Sequence, residues 1–103
     1  MSGNVVMRDF IMLMHDDASA RPSPEQWAAY FSFLRSRDAF EGGSAIGPGE
    51  TFRKRDTPGA PTSHLVGYIR VRAGTLGAAC ELLSGNPVFD CGGTVEICEL
   101  PRD

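Results

Sequence analysis

The clearest pattern of apolar and polar positions lies near the start of the chain, over Asp9–His15. Alternate residues of this segment form two sets, namely Phe10, Met12 and Met14, and Ile11, Leu13 and His15. Because successive side chains of a strand point to opposite faces, the segment predicts a strand with apolar residues on both faces. We expect helices to cover one face of the resulting sheet and another partner to cover the other face.

A helix is predicted over residues 24–37. Ser23 and Gln26 have the spacing of a capping box, and Pro24 stands at the first helical position. The apolar residues that follow repeat with the spacing of a single helical face: Trp27, Tyr30, Phe31 and Leu34. The segment therefore predicts an amphipathic helix with one apolar stripe.

Glycines interrupt the apolar segment that comes next. A second strand is predicted over Phe40–Gly47, followed by a turn over Gly47–Gly49. Glycines inside a strand mark a bulge, or a close approach by another backbone or a ligand. The chain is predicted to continue as an extended arm over Glu50–Arg55 and as an irregular loop over residues 56–63.

The last part of the chain predicts a strand, a helix and a final strand. The third strand is predicted over His64–Arg72 and the fourth over Thr94–Leu100. Between them a helix is predicted over residues 75–84, with an apolar stripe formed by Leu76, Ala79, Cys80 and Leu83. Gly85 has the position of a left-handed C-terminal cap, and Asn86-Pro87 is expected to end the helix.

The predicted order of elements is β-α-β-β-α-β. This order is typical of the ferredoxin-like α+β fold, a four-stranded antiparallel sheet with two helices on one face. A chain of 103 residues is expected to form a single domain over residues 1–103. Two helices cannot cover both apolar faces of the first strand, so we predict a homodimer in which a second copy covers the remaining face.

Composition narrows the class of protein. The net charge is -3, and a nucleic-acid-binding protein would need a basic patch, so nucleic acid is not an expected partner. No apolar run is long enough to span a membrane, and the start of the chain lacks the features of a signal peptide. The three cysteines have no Cys-x-x-Cys spacing and are expected to be reduced thiols of a cytoplasmic protein.

Four segments of the chain resemble the YCII-related (DGPF) family: Phe10–Asp17, Phe40–Ile46, Leu65–Val71 and Gly93–Ile97. The resemblance implies the ferredoxin-like fold paired into a dimeric α+β barrel. It also implies ligand clefts between the sheet and the helices or at the dimer interface. Related members include cofactor-free isomerases, a dehydrochlorinase and monooxygenases, while most YCII-related proteins have no established activity.

The chain departs from this family at two places. The family's Thr-Asp-Gly-Pro-Phe segment would fall near Asp56–Pro61, which does not contain it. Members proposed to be catalytic have a histidine in the first helix, where this chain has Trp27, and Asp-Pro after the second helix. Here the second element is Asn86-Pro87, so a His–Asp acid/base pair is absent from those positions.

The best candidates for catalysis are His15, Asp16 and Asp17 at the end of the first strand. A histidine beside carboxylates can act as a general base near neutral pH. The alternative is that both aspartates are solvated and that His15 ends the strand at its edge. A metal site shared by His15 and His64 is a further alternative, but the spacing does not require one, so neither a metal nor a cofactor is predicted.

The candidate ligand-binding residues are Trp27, Ser44, His64 and Tyr68. Trp27 has two interpretations, since aromatic residues at helical spacing line either a pocket or the core. Ser44, among glycines, either faces a ligand or is small because a helix packs closely. The cluster Arg53–Arg55 either binds an acidic group or is a solvated part of the arm.

Three functions remain open from the sequence. The first is a homodimer whose cleft binds a small organic acid or aromatic molecule, with no reaction assigned. The second is a cofactor-free enzyme of the lyase or isomerase type that uses His15 with Asp16 or Asp17 as its base. The third is a structural or regulatory module that binds another protein. The sequence does not decide among them.

Overall fold

The computed structural model describes residues 6–102 and contains four strands and three helices within them. The elements are β1 (Arg8–His15), α1 (Pro24–Ser36), β2 (Phe40–Ala45), β3 (Leu65–Ala73), α2 (Leu76–Glu81), α3 (Pro87–Asp90) and β4 (Val95–Leu100). The strands form one antiparallel sheet in the order β2-β3-β1-β4. This order confirms the predicted ferredoxin-like α+β fold.

The alternation along β1 separates a core face from an open face. Phe10 and Met12 are completely buried and join a core that also contains Tyr30 and Leu34 of α1. Residues of α2 and α3 join the same core, so all three helices lie on this side of the sheet. Ile11 and Leu13 and the other alternate residues of the sheet form the second side, which we call the open face. No helix of the described part of the chain covers it.

The N-terminus of α1 has the predicted capping box. The Ser23 hydroxyl accepts a hydrogen bond from the Gln26 amide, and the Ser23 amide donates to the Gln26 side chain over 2.7 Å. Of the predicted stripe, Tyr30 and Leu34 are buried, whereas Trp27 and Phe31 are half-buried at its edge. The stripe is thus confirmed, and its outer members remain accessible from one side.

The glycines of β2 produce a bulge, as the sequence predicted. Phe40 pairs with Val71, and Gly43 pairs with Ile69. The two residues between Phe40 and Gly43 therefore lie opposite the single residue between Ile69 and Val71. Gly42 takes a φ of +115°, a conformation that side-chain-bearing residues rarely adopt. The bulge bends the strand at this point, and β2 ends at Ala45 rather than at the predicted Gly47.

The predicted helix over residues 75–84 is wrong in its length. Helix α2 ends at Glu81, and a separate short helix, α3, follows. Gly85 has the expected positive φ of 86°. Asn86-Pro87 does not only end a helix but starts the next one, because the Asn86 side chain caps α3 and Pro87 occupies its first turn.

The predicted apolar stripe of this helix is also wrong in part. Ala79 is buried as predicted, but Cys80 and Leu76 are exposed and Leu82 is the second buried residue. The cause is a tertiary contact, since the Tyr30 hydroxyl donates a hydrogen bond of 2.6 Å to the Leu82 carbonyl. This contact fixes the end of α2 against α1, and burial raises the pKa of Tyr30 to about 12.

The core contains one fully buried amide side chain, that of Asn86. Its Oδ1 accepts a hydrogen bond of 3.1 Å from the Phe89 amide, which is the cap of α3. Its Nδ2 faces the sulfur atoms of Met12 and Met14 at 4.0 and 3.9 Å. The methionines of β1 therefore contact the start of α3.

Residues 47–63 connect β2 to β3 and form an irregular segment that we call the arm. None of its side chains is buried, and Phe52 is 86% exposed. A Cβ added at Gly47, Gly49 or Gly59 would have no neighbour within 4 Å. The radius of gyration is 15.7 Å, compared with about 13 Å for a compact chain of this length. The arm therefore extends away from the rest of the protein.

The substitution Gly43→Ala is expected to lower the free energy of unfolding by about 1–3 kcal/mol. The reason is that a Cβ at position 43 would lie 2.6 Å from the Tyr68 carbonyl oxygen of the neighbouring strand. Gly59→Ala is the matched control, because position 59 has open space and should change stability by less than about 0.5 kcal/mol. Urea unfolding at one fixed protein concentration measures both. Equal stability of the two variants would contradict the close backbone approach at Gly43.

Candidate functional site

An apolar cleft of about 370 Å³ lies between α1 and the strands β2 and β3. Trp27 and Phe31 line its helix side, and their rings are stacked with centroids 5.7 Å apart. Gly43, Ala45 and Gly67 line its sheet side. The cleft exists because the outer part of the α1 stripe lies over strands that have small residues below it.

Backbone packing requires glycine on the floor of the cleft. A Cβ at Gly43 would lie 2.6 Å from the Tyr68 carbonyl oxygen, and one at Gly67 would lie 3.0 Å from the Ser44 carbonyl oxygen. The Met14 methyl group is also only 3.2 Å from that second position. Both positions therefore exclude a side chain, and the floor below the aromatic rings is formed by strand backbone and the Met14 side chain. A flat slot of this kind suits a planar ring.

A second cavity, of about 570 Å³, adjoins the apolar cleft, and we call it the polar cavity. Three residues line both spaces and mark their boundary: Trp27, Val66 and Val88. The polar side chains around it come from the end of β1 and the loop that follows, where His15, Asp16 and Arg21 contribute. An apolar space therefore borders a space with charged and hydrogen-bonding groups.

Hydrogen bonds hold the loop that forms the polar cavity. The Asp17 carboxylate accepts from the Thr94 amide over 2.7 Å and from the Thr94 hydroxyl over 2.6 Å. Further along, the Ser19 amide and hydroxyl both donate to the Cys91 carbonyl. The Thr94 hydrogen bonds lower the pKa of the Asp17 carboxyl below its usual value. Asp17 thus contacts Thr94, while Asp16 lines the cavity.

His15 contacts a carboxylate that belongs to β4. Its Nε2 lies 3.0 Å from the Glu96 Oε1, and the two side chains are 22% and 49% exposed. The ring of His64 meets the ring of His15 edge-on, with centroids 4.8 Å apart. A histidine oriented by a carboxylate and still reachable by solvent is an arrangement that can transfer protons.

The predicted ligand-binding residues fall into two groups. Trp27, Ser44 and Tyr68 all line the apolar cleft. The Ser44 hydroxyl donates a hydrogen bond of 2.9 Å to the Ala45 carbonyl, so its oxygen remains able to accept one. His64 lines neither cavity and instead contacts His15.

Sequence reasoning missed three contributors to the site, namely Glu96, Gly67 and Arg21. Glu96 lies within the predicted fourth strand, 81 residues from His15. Its proximity to His15 depends on the register of β1 with β4, in which Leu13 pairs with Glu96. Gly67 gave a signal of its own, because a glycine inside an apolar strand marks a close approach. Arg21 lies in a polar loop without periodicity, which gave no signal.

The chain matches no model of a known protein family, and no curated protein matches it. None of the helices between residues 6 and 102 has both the length and the apolar character needed to span a lipid bilayer. Within the same residues, no group of three or more histidine, cysteine, aspartate or glutamate side chains is arranged to hold a metal ion.

The substitution Asp17→Asn is expected to destabilise the protein at neutral pH and to have a smaller effect in acid. The pKa of Asp17 is lowered in the folded state, so its contribution is present above the unfolded pKa of about 3.9 and is lost as the pH falls through the folded pKa. Thermal unfolding of the wild type and the variant, followed from neutral pH to pH values below the folded pKa of Asp17, measures the difference in stability between them.

The control for this experiment is Asp16→Asn, which changes the neighbouring carboxylate. Asp16 is exposed, and its side chain makes no hydrogen bond within residues 6–102. Its variant should differ little from wild type at either pH. A difference between wild type and Asp17→Asn that stays constant down to the lowest pH would contradict the role of the ionised Asp17.

Proposed function

We propose that the protein is a small homodimer that binds a small organic molecule, with an aromatic ring and an acidic or hydroxyl group, without a reaction that can be assigned to it. The observation that carries this proposal is the glycine floor beneath Trp27 and Phe31. Position 43 excludes a side chain because of the neighbouring backbone, and position 67 because of the neighbouring backbone and the Met14 methyl group, and a cleft of about 370 Å³ lies beside them. The cleft is concave and mostly apolar, as ligand sites are.

The chemistry of the ligand follows from the two adjoining spaces. A planar ring in the apolar cleft would stack beside Trp27 and Phe31. A polar substituent that points past Trp27 would reach the polar cavity. Arg21 is the basic group there, and a guanidinium suits a carboxylate. An aromatic acid meets both requirements.

The homodimer is supported by the open face of the sheet. Ile11, Leu13 and Tyr68 alternate with core residues and have no helix over them. Burying one such side chain is worth roughly 1.5–3 kcal/mol, so pairing two open faces would stabilise both copies. A C2 pair of identical sheets is the simplest arrangement that covers this face in each copy.

We also propose that the protein belongs to the YCII-related family and that it is cytoplasmic. The resemblance of the four strand segments is supported by the strand order, which is the order that family's fold requires. The absence of the Thr-Asp-Gly-Pro-Phe segment separates this chain from the family's typical members. The three cysteines are free, and free exposed thiols such as Cys80 and Cys98 fit a reducing compartment.

A thermal-shift screen with benzoate, salicylate, phenylacetate and phenol tests the cleft. A ligand at a hundred times its dissociation constant raises the free energy of unfolding by about 2.7 kcal/mol. The substitution Ala45→Leu adds bulk inside the cleft and is expected to remove the shift.

Ala29→Leu is the matched control for this screen. Ala29 is exposed on α1 and lies outside both cavities, so its variant should keep the shift of the wild type. A shift that survives Ala45→Leu would place the ligand elsewhere. Absence of any shift at millimolar probe would favour a module that binds another protein.

A second candidate function is a cofactor-free lyase or isomerase. The specific observation in its favour is the contact between His15 and Glu96 at the edge of the polar cavity. In this arrangement Glu96 orients the ring, and the imidazole removes a proton from a ligand whose polar group enters the cavity. The sequence-based hypothesis gave this orienting role to Asp16 or Asp17.

His15→Ala is expected to abolish turnover of any compound that the cleft binds and the protein converts, because the base is lost. Glu96→Gln should lower the rate by about 10–100-fold through loss of the orienting carboxylate. Circular dichroism and sedimentation control for the fold and the assembly, which should not change. Turnover that persists in His15→Ala would exclude His15 as the base.

A further inference from the structure

The arm is the largest part of the described chain that has no packing partner. It contains 17 residues, none of them buried, and its one side-chain hydrogen bond joins Arg53 to the Thr57 carbonyl over 3.4 Å. Phe52 is 86% exposed, the highest value among the large apolar residues of the described chain. Full burial of such a side chain is worth roughly 1.5–3 kcal/mol, so a surface that covered Phe52 would gain stability from it.

We propose that the arm of one copy lies across a second copy of this chain, with Phe52 as its buried anchor. This inference rests on the homodimer proposed above and adds the surface that holds it together. Each copy then gives one arm and receives one, as a two-fold axis requires.

The area of the open face is the first reason to choose a second copy as the partner. A four-stranded sheet whose strands average about seven residues measures about 19 by 24 Å, a flat outline of roughly 450 Å². A standard protein interface buries about 800 Å² on each partner. The open face is thus at most comparable to one partner's share of a standard interface, and the exposed arm, which joins β2 to β3, would add surface to it.

The length of the arm is the second reason. A segment of 17 residues that leaves and returns to the same sheet has about eight residues in each direction, a reach of about 26 Å. This distance exceeds the width of about 19 Å of a four-stranded sheet. The dimensions of 57 × 37 × 18 Å agree with an arm that extends beyond its own body. The arm can thus cross the body of a second copy.

Charge complementarity is the third reason. The arm has three basic residues, Arg53, Lys54 and Arg55, and two acidic ones, Glu50 and Asp56. The rest of the chain has the remaining seven of ten basic and eleven of thirteen acidic residues. A basic arm is attracted to an acidic body, and the body of a second copy has that charge. None of the three basic side chains forms an ion pair within residues 6–102.

The test is the dimer dissociation constant from analytical ultracentrifugation, measured from nanomolar to high micromolar protein. Phe52→Ser is expected to raise this constant by about tenfold or more, because each dimer loses two buried aromatic anchors. Phe89→Ser is the matched control, since Phe89 is 50% exposed but belongs to α3 in the helix layer. The dimer dissociation constant of Phe89→Ser should equal that of the wild type. Hydrogen exchange of residues 51–56 should slow as protein concentration rises.

A third variant, Leu13→Arg, separates the arm from the homodimer itself. It places a charge on the open face and should dissociate any dimer formed there. If Leu13→Arg dissociates the protein but Phe52→Ser does not, the sheet-face dimer stands and the arm proposal is overturned. Equal weakening by Phe52→Ser and Phe89→Ser would also overturn it. A wild type that stays monomeric at every concentration would overturn both the arm contact and the homodimer.

Discussion

The sheet has apolar side chains on both of its faces, and the helices lie on only one of them. Because β1 is an inner strand, neither of its two sets of side chains lies at an edge of the sheet. The core side is covered by α1, α2 and α3, whose buried residues meet Phe10 and Met12. The open side keeps Ile11 and Leu13 half-buried by their own neighbours. This asymmetry is the physical basis of the proposed homodimer.

The same close pairing of β2 with β3 that shapes the sheet also shapes the site. Gly43 and Gly67 allow the two backbones to approach, and the lack of side chains there leaves a slot beneath Trp27 and Phe31. The site therefore does not need a loop to form it. Its floor belongs to two paired strands, which are a more rigid support for a ligand than a surface loop.

Local rules predicted most of the fold. The capping box at Ser23, the alternation of β1 and the bulge near Gly42 each depend on residues close together in sequence. The failures came from tertiary contacts. Asn86 caps a helix that local pattern did not indicate, and the exposure of Cys80 follows from the contact between Tyr30 and the end of α2.

The candidate site shows the same division between features that local patterns predict and features that depend on tertiary contacts. Trp27 lines the cleft from a helix face that periodicity assigns, whereas Ser44 and Tyr68 border it at strand positions that pair with one another and with Leu13 of the open face. The partner of His15 could not be assigned in this way. Glu96 is 81 residues away, and only the register of two strands brings them together. Registers between distant strands are not encoded in any short segment.

The central position of β1 has a consequence for how the chain acquires its structure. Every residue that pairs with this strand lies 50 or more positions further along the sequence. During synthesis an aggregation-prone segment therefore leaves the ribosome well before the strands that flank it. Such non-local pairing slows folding, because the chain loses the entropy of closing a long loop before the paired strands stabilise the structure. In the interval before β3 and β4 are made, both apolar faces of β1 are thus without their pairing partners.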